Sequence, residues 1–398
     1  VITEIRPMSV SYESEVSNTV DANGGYLTPG LIDMHVHAYD KSAFELSLSH
    51  GVTHVRVMNG VKQHLDWREE QDTGWLASGM SVSSPIVRSG EDSQPLNWTV
   101  NTAEEARAAI QSAKQQGYDL IKVYGSISKH ALEAVLSEAE KLDIPIAKHG
   151  PHPVPGMDWR SLNGMQSLEH VEDIFQGLLN FKFDQNQLVT VISKLKDTQV
   201  PVTPTLHIFW QLTQLSQHKQ GFVDELPLDY TSSIIAWEAK NNQVARWLNS
   251  SEEVAQHNRN VLKFLKQVTG QLHKSNVPLL VGSDAGVLLS PHGLSTHNEL
   301  RLMRESGLDD FTVLRAATLN PAIALKMDDK IGQIKVGLQA DFILTEGNPA
   351  EDIELLKTPK AVVKAGLWLS EKEMDLLREK AISSRSWWQE LWVLLTNY

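Results

Sequence analysis

Two histidines one residue apart, His35 and His37, are the first residues whose types and spacing could do chemistry. They follow a short apolar run, Leu31 and Ile32, which comes after a Pro-Gly breaker and predicts a buried strand. Side chains at positions i and i+2 of a strand point to the same side, so both imidazoles can face one cation. The pair therefore predicts a metal site, provided that the chain supplies further ligands.

Eight segments are predicted to be strands, and in the second half of the chain they alternate with predicted helices. The first begins at Leu31, and the others cover 51–58, 80–87, 119–124, 144–149, 166–170, 200–206 and 278–283. Residues 88–100 are predicted to be a loop. Thr102 and Glu105 form a capping box that predicts a helix ending at Gly117. This series predicts an α/β protein with a (β/α)8 barrel rather than a doubly wound sheet, since no Gly-rich phosphate loop follows any strand.

In a barrel of parallel strands, the chemistry lies at the carboxyl ends of the strands. Five strand ends supply the side chains that could bind a metal: His35, His37, Lys122, His149, His170 and Asp284. Neutral imidazoles and a carboxylate suit Zn²⁺ or a similar divalent ion, and the chain contains no cysteine. A lysine ammonium would repel a cation, but a neutral lysine amine can add CO₂ and become an anionic carbamate that bridges two metal ions.

Seven segments resemble motifs of the metal-dependent amidohydrolase superfamily, in the order PGLIDMHVH, IKVY, AKHG, SLEHV, VGSDAG, AATLNPA and IGQIKVGLQADFIL. The resemblance runs from about residue 27 to 366 and is closest to the prolidase-like and imidazolonepropionase-like branch. It implies a TIM barrel with a small β-sandwich formed from both chain ends. It also implies a binuclear site in which His35, His37 and Asp284 hold one metal ion, His149 and His170 hold the other, and carboxylated Lys122 bridges them.

The resemblance also divides the chain into regions. Residues 1–28 and 329–369 would form the two parts of the sandwich, 29–328 the barrel with a helical insertion at about 207–276, and 370–398 an amphipathic helix. Short strands are expected at 331–334, 340–344 and 362–366, and residues 1–28 look β-rich. Only 28 residues precede the first motif, fewer than the resemblance implies, which leaves the completeness of the sandwich open. An apolar stripe of Trp387, Trp388 and Trp392 is expected to pack against the protein's own body.

The mechanism implied by the resemblance is metal-assisted hydrolysis, in which Asp284 takes a proton from the bridging water and passes it to the leaving nitrogen. The leading hypothesis is cleavage of an amide or peptide bond in a dipeptide or an N-acyl amino acid. A cyclic amidohydrolase, a deaminase, a phosphotriester or lactone hydrolase, and a non-catalytic scaffold are the alternatives. Candidates for substrate contact are Tyr124, His152, His207, Tyr230 and His297.

Composition narrows the choice of partners. The net charge of −13 argues against nucleic acid or an anionic membrane, and no apolar run approaches the roughly 20 residues of a membrane helix. A small-molecule substrate is therefore expected, and a homo-oligomer stays open. The chain begins at Val1 rather than Met, so an N-terminal piece is expected to be missing. Export and a cytosolic location both remain compatible with the sequence.

Overall fold

The computed structural model describes residues 1–7, 19–91, 96–388, 390–391 and 395. These residues form parallel strands that alternate with helices, together with one antiparallel sheet, so the predicted α/β class is confirmed. The first ten strands are β1 Tyr26–Pro29, β2 Leu31–Val36, β3 Val52–Val57, β4 Gly79–Val82, β5 Ile86–Arg88, β6 Asn97–Thr99, β7 Ile121–Val123, β8 Ile146–His149, β9 Ser167–Glu169 and β10 Val202–Thr203.

The parallel strands pair in two groups, β2-β3-β4 and β10-β9-β8-β7-β5-β6. Isolated bridges connect the groups: Ser83 pairs with Leu120, Val202 with Leu279, and Val36 with Ala285. The segment predicted as the eighth strand is thus attached to β10 on one side and to β2 on the other, although it is not a regular strand. Strands that are close in sequence are therefore also neighbours in space.

Two other strand predictions need correction. The segment predicted as one strand at 80–87 is divided into β4 and β5, because the chain changes its pairing partner from β3 to β7 around Ser83. The region predicted as a loop at 88–100 contains β6, which pairs in parallel with β5.

Helices follow most of the strands. Their bounds are α1 Ser42–Ser49, α2 Lys62–Asp72, α3 Ala103–Gln116, α4 Lys129–Lys141, α5 Gln185–Thr198, α6 Leu206–Glu225, α7 Ser233–Asn241, α8 Gln243–Leu248, α9 Glu252–Lys274, α10 Leu294–Glu305, α11 Asp310–Ala316, α12 Leu319–Ala324 and α13 Glu371–Ser383. The capping box of Thr102 and Glu105 begins α3, and Gly117 ends it with φ of 89°. The segment from α6 to α9 is helical, as predicted.

One large apolar core lies between the strands and these helices. It contains Val55 and Val123 from the strands and Ile110, Val135 and Leu265 from the helices, all of them buried. Burial of these side chains removes apolar surface from water and provides the main favourable free energy of folding. The helices therefore pack against one side of the strands. Polar groups can then lie at the strand ends, outside this core.

The antiparallel sheet combines both ends of the chain in the order β1-β11-β12-β13, with β11 Phe342–Thr345, β12 Ala361–Lys364 and β13 Leu367–Ser370. Tyr26 of β1 lies opposite Thr345 of β11. In the described part of the chain β1 is the only strand before residue 30, and 331–334 is not a strand. No second sheet faces this one among the described residues.

The C-terminal helix is shorter than predicted. The helix α13 ends at Ser383, and residues 384–386 are not helical. This break interrupts the helical face on which the tryptophans were expected to pack against the protein. Trp388 is 74% exposed and Trp387 is half exposed, so the expected packing does not hold for Trp388. Trp392 lies outside the described residues. Within those residues, every helix is too short or too polar to cross a bilayer.

Candidate metal centre

His35, His37 and Asp284 come together where β2 meets the segment that leads to Asp284. The Asp284 N–H donates to the His35 carbonyl at 2.7 Å, and the His37 N–H donates to the Ala285 carbonyl at 2.8 Å. Asp284 Oδ1 lies 3.0 Å from His37 Nε2 and 3.6 Å from His35 Nε2. One ligand atom from each residue lies within 4.8 Å of the other two, which is a spacing that one metal ion could span.

Two more histidines extend this cluster. His149 ends β8, and His170 directly follows β9 on the neighbouring strand. Their ring centroids are 4.4 Å apart, and the His170 ring is 4.6 Å from that of His35. Because His170 also lies 3.9 Å from Asp284, the four imidazoles and the carboxylate form one continuous group.

Lys122 lies on β7 and is only 2% exposed. Its Nζ has no hydrogen-bond partner among the described residues. Burial lowers the pKa of Lys122 to about 8, which makes the neutral, nucleophilic amine more accessible than in an exposed lysine. Burial also lowers the pKa of His35 to about 4, and the positive charge of Lys122 adds to this effect, so the two side chains are close.

Three of the candidate ligand imidazoles have one ring nitrogen next to a polar partner. His35 Nδ1 is 2.8 Å from Glu169, His170 Nδ1 is 2.8 Å from Thr205, and His149 Nε2 is 3.1 Å from Asp173. Metal-binding histidines usually have this arrangement, in which the partner fixes the ring and leaves the other nitrogen for the metal. This donor set, together with a buried amine without a partner, fits divalent cations held by imidazole and carboxylate groups.

The electrostatics and the backbone also mark this cluster. Burial raises the pKa of Asp284, but the adjacent His35 and His37 outweigh burial and hold it well below its usual range. Asp284 and His170 both have positive φ values, 56° and 69°. Non-glycine residues rarely adopt this conformation, and such strain concentrates at functional sites.

A family model described as the amidohydrolase family matches residues 26–369. The chain belongs to the amidohydrolase family. This assignment confirms the resemblance inferred from the seven motifs, and it supports the expectation of a hydrolase that acts on carbon–nitrogen bonds.

Individual relatives of this amidohydrolase are distant. Ochratoxinase from Aspergillus niger is 23% identical over 274 residues, which cover 65% of this chain and 47% of the relative. The chain thus spans about half the length of the curated relatives that it matches. A bottromycin amidohydrolase aligns with a TM-score of 0.75 and 22% identity over 90% of this chain and 80% of its own. An Xaa-Pro dipeptidase with bound methionine aligns with a TM-score of 0.69 and 20% identity, over 93% of this chain and 92% of its own. At these identities the structural matches support the fold alone.

Three of the residues that were predicted to contact the substrate lie near the cluster of candidate metal ligands. The Tyr124 ring stacks on His149 with centroids 4.1 Å apart. Burial lowers the pKa of His207 to about 3, although the negative charge of Asp284 raises it. The His207 Nε2 has no hydrogen-bond partner among the described residues. His152 is close to Asp173, whose charge opposes the lowering of its pKa by burial.

Tyr230 and His297 have other contacts in the amidohydrolase. The Tyr230 hydroxyl is 3.0 Å from His50 Nε2, and His297 Nε2 is 2.8 Å from the His50 carbonyl oxygen. His50 lies directly after α1 and is not one of the candidate ligands. The structure therefore does not bring these two residues to the cluster through any contact among the described residues.

Sequence reasoning did not identify the polar partners of the cluster. Glu169 immediately precedes His170, and Asp33 lies two residues before His35. Asp33 accepts from the N–H groups of His35 and Ser283 at 3.1 and 3.0 Å, so it joins β2 to the segment that carries Asp284. The available signal was an acidic residue inside an apolar strand, a position that acidic side chains rarely occupy without a partner.

A cavity of about 980 Å³ lies at the opposite ends of the strands of the amidohydrolase. Pro145, Gln166, Pro201 and Pro278, which line it, all precede predicted strands or lie at their beginnings. It contains none of the candidate ligands. Because the family places its chemistry at the carboxyl ends of the strands, we assign the site from the side-chain cluster rather than from cavity size.

Proposed function

We propose that this amidohydrolase is a binuclear metal-dependent hydrolase that cleaves an amide or peptide C–N bond of a small substrate, either a dipeptide or an N-acyl amino acid. The proposal includes a closed (β/α)8 barrel, which is supported by the bridges that link β2, β10 and the segment between them. The observation that carries the functional proposal is the meeting of His35, His37 and Asp284 within 4.8 Å.

The proposed ligands divide between two cations. His35, His37 and Asp284 would hold one, and His149 and His170 would hold the other, with Lys122 as a carbamate between them. The absence of a hydrogen-bond partner for the buried Lys122 Nζ supports the carbamate, because an unmodified buried amine would normally donate to an acceptor. Zn²⁺ suits these nitrogen and oxygen donors, although Mn²⁺ or Co²⁺ would use the same ligands.

When bound, the metal ions would supply a Lewis acid for the substrate carbonyl and a water of lowered pKa. Asp284 is the group that would accept the proton of the attacking water and deliver it to the leaving nitrogen. Tyr124 and His207 are the candidate groups for orienting the substrate. Glu169, Thr205 and Asp173 would keep the imidazoles in the correct tautomers and orientations.

The alternatives make different demands on Lys122. A deaminase on this scaffold is expected to need one metal ion and no strand lysine, so the buried Lys122 favours the binuclear reaction. The matched Xaa-Pro dipeptidase also favours dipeptides over cyclic amides, phosphotriesters and lactones as the first class to test. A scaffold without activity is disfavoured, since all six candidate ligands are present.

The test is reconstitution of the full chain with Zn²⁺ in bicarbonate, followed by metal analysis and a screen of dipeptides and N-acyl amino acids for amine release. We expect about two metal ions per chain and turnover of one subset of substrates. About one metal ion with release of ammonia would favour the deaminase. Firm metal retention without turnover of amides, esters, lactones or phosphotriesters would favour the scaffold.

A further inference from the structure

Arg88 ends β5 and lies beside Tyr124 at the carboxyl ends of the strands. Val87 pairs in parallel with Val123, and the Tyr124 N–H continues the ladder by donating to the Val87 carbonyl at 3.0 Å. Arg88 is therefore the residue opposite Tyr124 on the neighbouring strand, about 4.8 Å away at the backbone.

The register also determines which face Arg88 occupies. Tyr124 is two residues beyond Lys122, and alternate residues of a strand share one face. Paired residues of adjacent strands also share a face, so Arg88 lies on the face of Lys122 and Tyr124. Since Tyr124 stacks on His149, this is the face toward the candidate metal centre.

The charge of Arg88 acts on that face. Burial raises the pKa of Tyr124, as do the acidic groups around the cluster, whereas the positive charge of Arg88 lowers it. The strand register places the Arg88 side chain beside that of Tyr124 on this face. The Arg88 side chain is thus within reach of a molecule that rests against Tyr124.

The Arg88 side chain is partly buried at the end of β5. Its Nε is buried and has no hydrogen-bond partner among the described residues. Lys148, on β8, provides a contrast, because its buried Nζ donates to the carbonyls of His149 and Gly150 at 3.0 Å each. A buried Nε–H without an acceptor is costly, so a ligand that supplies an acceptor would be favoured beside this partly exposed side chain.

We propose that Arg88 binds the free α-carboxylate of the substrate and so restricts the enzyme to substrates with a C-terminal acid. A guanidinium matches a carboxylate through two parallel hydrogen bonds, and it is always charged. In a dipeptide or an N-acyl amino acid, the carboxylate is only three bonds from the carbonyl carbon that is attacked. A cation one strand away from Tyr124 is placed for this short span, and the inference rests on the proposed amide hydrolysis at the metal centre.

The test compares each accepted substrate with its C-terminal carboxamide in the Zn²⁺-loaded enzyme. We expect Arg88→Met to lower kcat/KM for the acid by about 10- to 100-fold, mainly through KM, and to leave the carboxamide within about threefold. Arg88→Lys should restore part of the loss. Arg160→Met, which changes an exposed arginine, is the matched control and should leave both substrates and the metal content unchanged.

A binding measurement separates failure of this inference from failure of the proposed reaction. Calorimetry with a panel of N-acetyl amino acids and their carboxamides needs no turnover. Weaker binding of the acids alone in Arg88→Met would support the carboxylate site even if wild-type enzyme hydrolysed nothing. Equal losses for acids and carboxamides, or no acid bound by the wild-type protein, would overturn it.

Discussion

Two groups of polar side chains differ in how well their buried atoms are hydrogen-bonded. The interior group surrounds Arg56, which is fully buried and donates to the Met34 carbonyl, Gln166, Ser167 and Glu169 at 2.7 to 2.8 Å. The rim group consists of Arg88, Lys122 and His207, and one nitrogen of each lacks a partner among the described residues. Arg88 ends β5, Lys122 lies on β7, and His207 follows β10 at the start of α6.

This difference distinguishes the side chains that we expect to stabilise the fold from those that we expect to bind metal or substrate. A buried polar group without a partner costs about 1–3 kcal/mol, so a cluster of such groups at one place calls for an explanation such as a bound ion, water or ligand. The interior group is complete without a ligand and connects three strands. Under the proposed function, metal ions, a carbamate or substrate would complete the rim group, so substitutions in the two groups should have opposite signatures.

The largest expected effect is on catalysis at the rim. Asp284→Asn should lower kcat by about 10³-fold, because the amide cannot take the proton of the attacking water. The measurement is steady-state kinetics of the Zn²⁺-loaded variant, with metal content determined in parallel. Asp329→Asn, which changes an exposed carboxylate, is the control and should leave kcat unchanged. Near-normal kcat in Asp284→Asn with metal bound would remove Asp284 from the role of proton carrier.

The second effect concerns Lys122. Lys122→Met should reduce the metal content from about two ions per chain to about one, since the bridging anion is lost, and lower kcat/KM at least about 100-fold. In wild-type protein, reconstitution without bicarbonate should give less activity than reconstitution with it. A high-resolution density map would show three extra atoms on Nζ. An unmodified Lys122 in a fully active, metal-loaded crystal would contradict the carbamate.

Sequence reasoning predicted the candidate metal ligands, whereas it did not predict the interior group. His35 and His37 are separated by the two-residue period of a strand, and the helix α3 carries its start and stop signals within 16 residues, so both depend on local rules. Arg56 and Glu169 meet only through the order of the strands, which is set by contacts more than 100 residues apart. Arg88 was assigned to a loop, because a three-residue strand has too little periodicity to be recognised.

The third effect is a difference in the free energy of unfolding between substitutions of Arg56 and Arg88. Arg56→Met should lower the free energy of unfolding by about 3–5 kcal/mol, because Glu169 would be left buried without its cation. Arg88→Met should change it by less than about 1 kcal/mol, since no partner is left behind. Urea unfolding of the metal-free proteins at one pH measures both. Similar losses in the two variants would show that Arg88 has a structural partner after all.

The smallest effect is the pH dependence of an interior histidine. Burial lowers the pKa of His54 to about 3, and its Nε2 lies 2.9 Å from Ser81 Oγ. The folded state therefore favours the neutral ring, so this contribution to stability is complete above about pH 6.5 and is lost as the pH falls toward 3. Between pH 7 and pH 5 the loss should be about 2 kcal/mol at 1.4 kcal/mol per pKa unit.

His54→Gln isolates that contribution, because glutamine can still bond to Ser81 and does not titrate. Urea unfolding of metal-free protein at pH 7 and pH 5 should show about 2 kcal/mol less acid destabilisation in this variant than in wild type. His130→Gln, at an exposed position on α4, should keep the wild-type pH dependence. If His54→Gln also kept it, the pKa of His54 in the folded protein would have to lie near its unfolded value of about 6.5, and burial would not disfavour the charged ring.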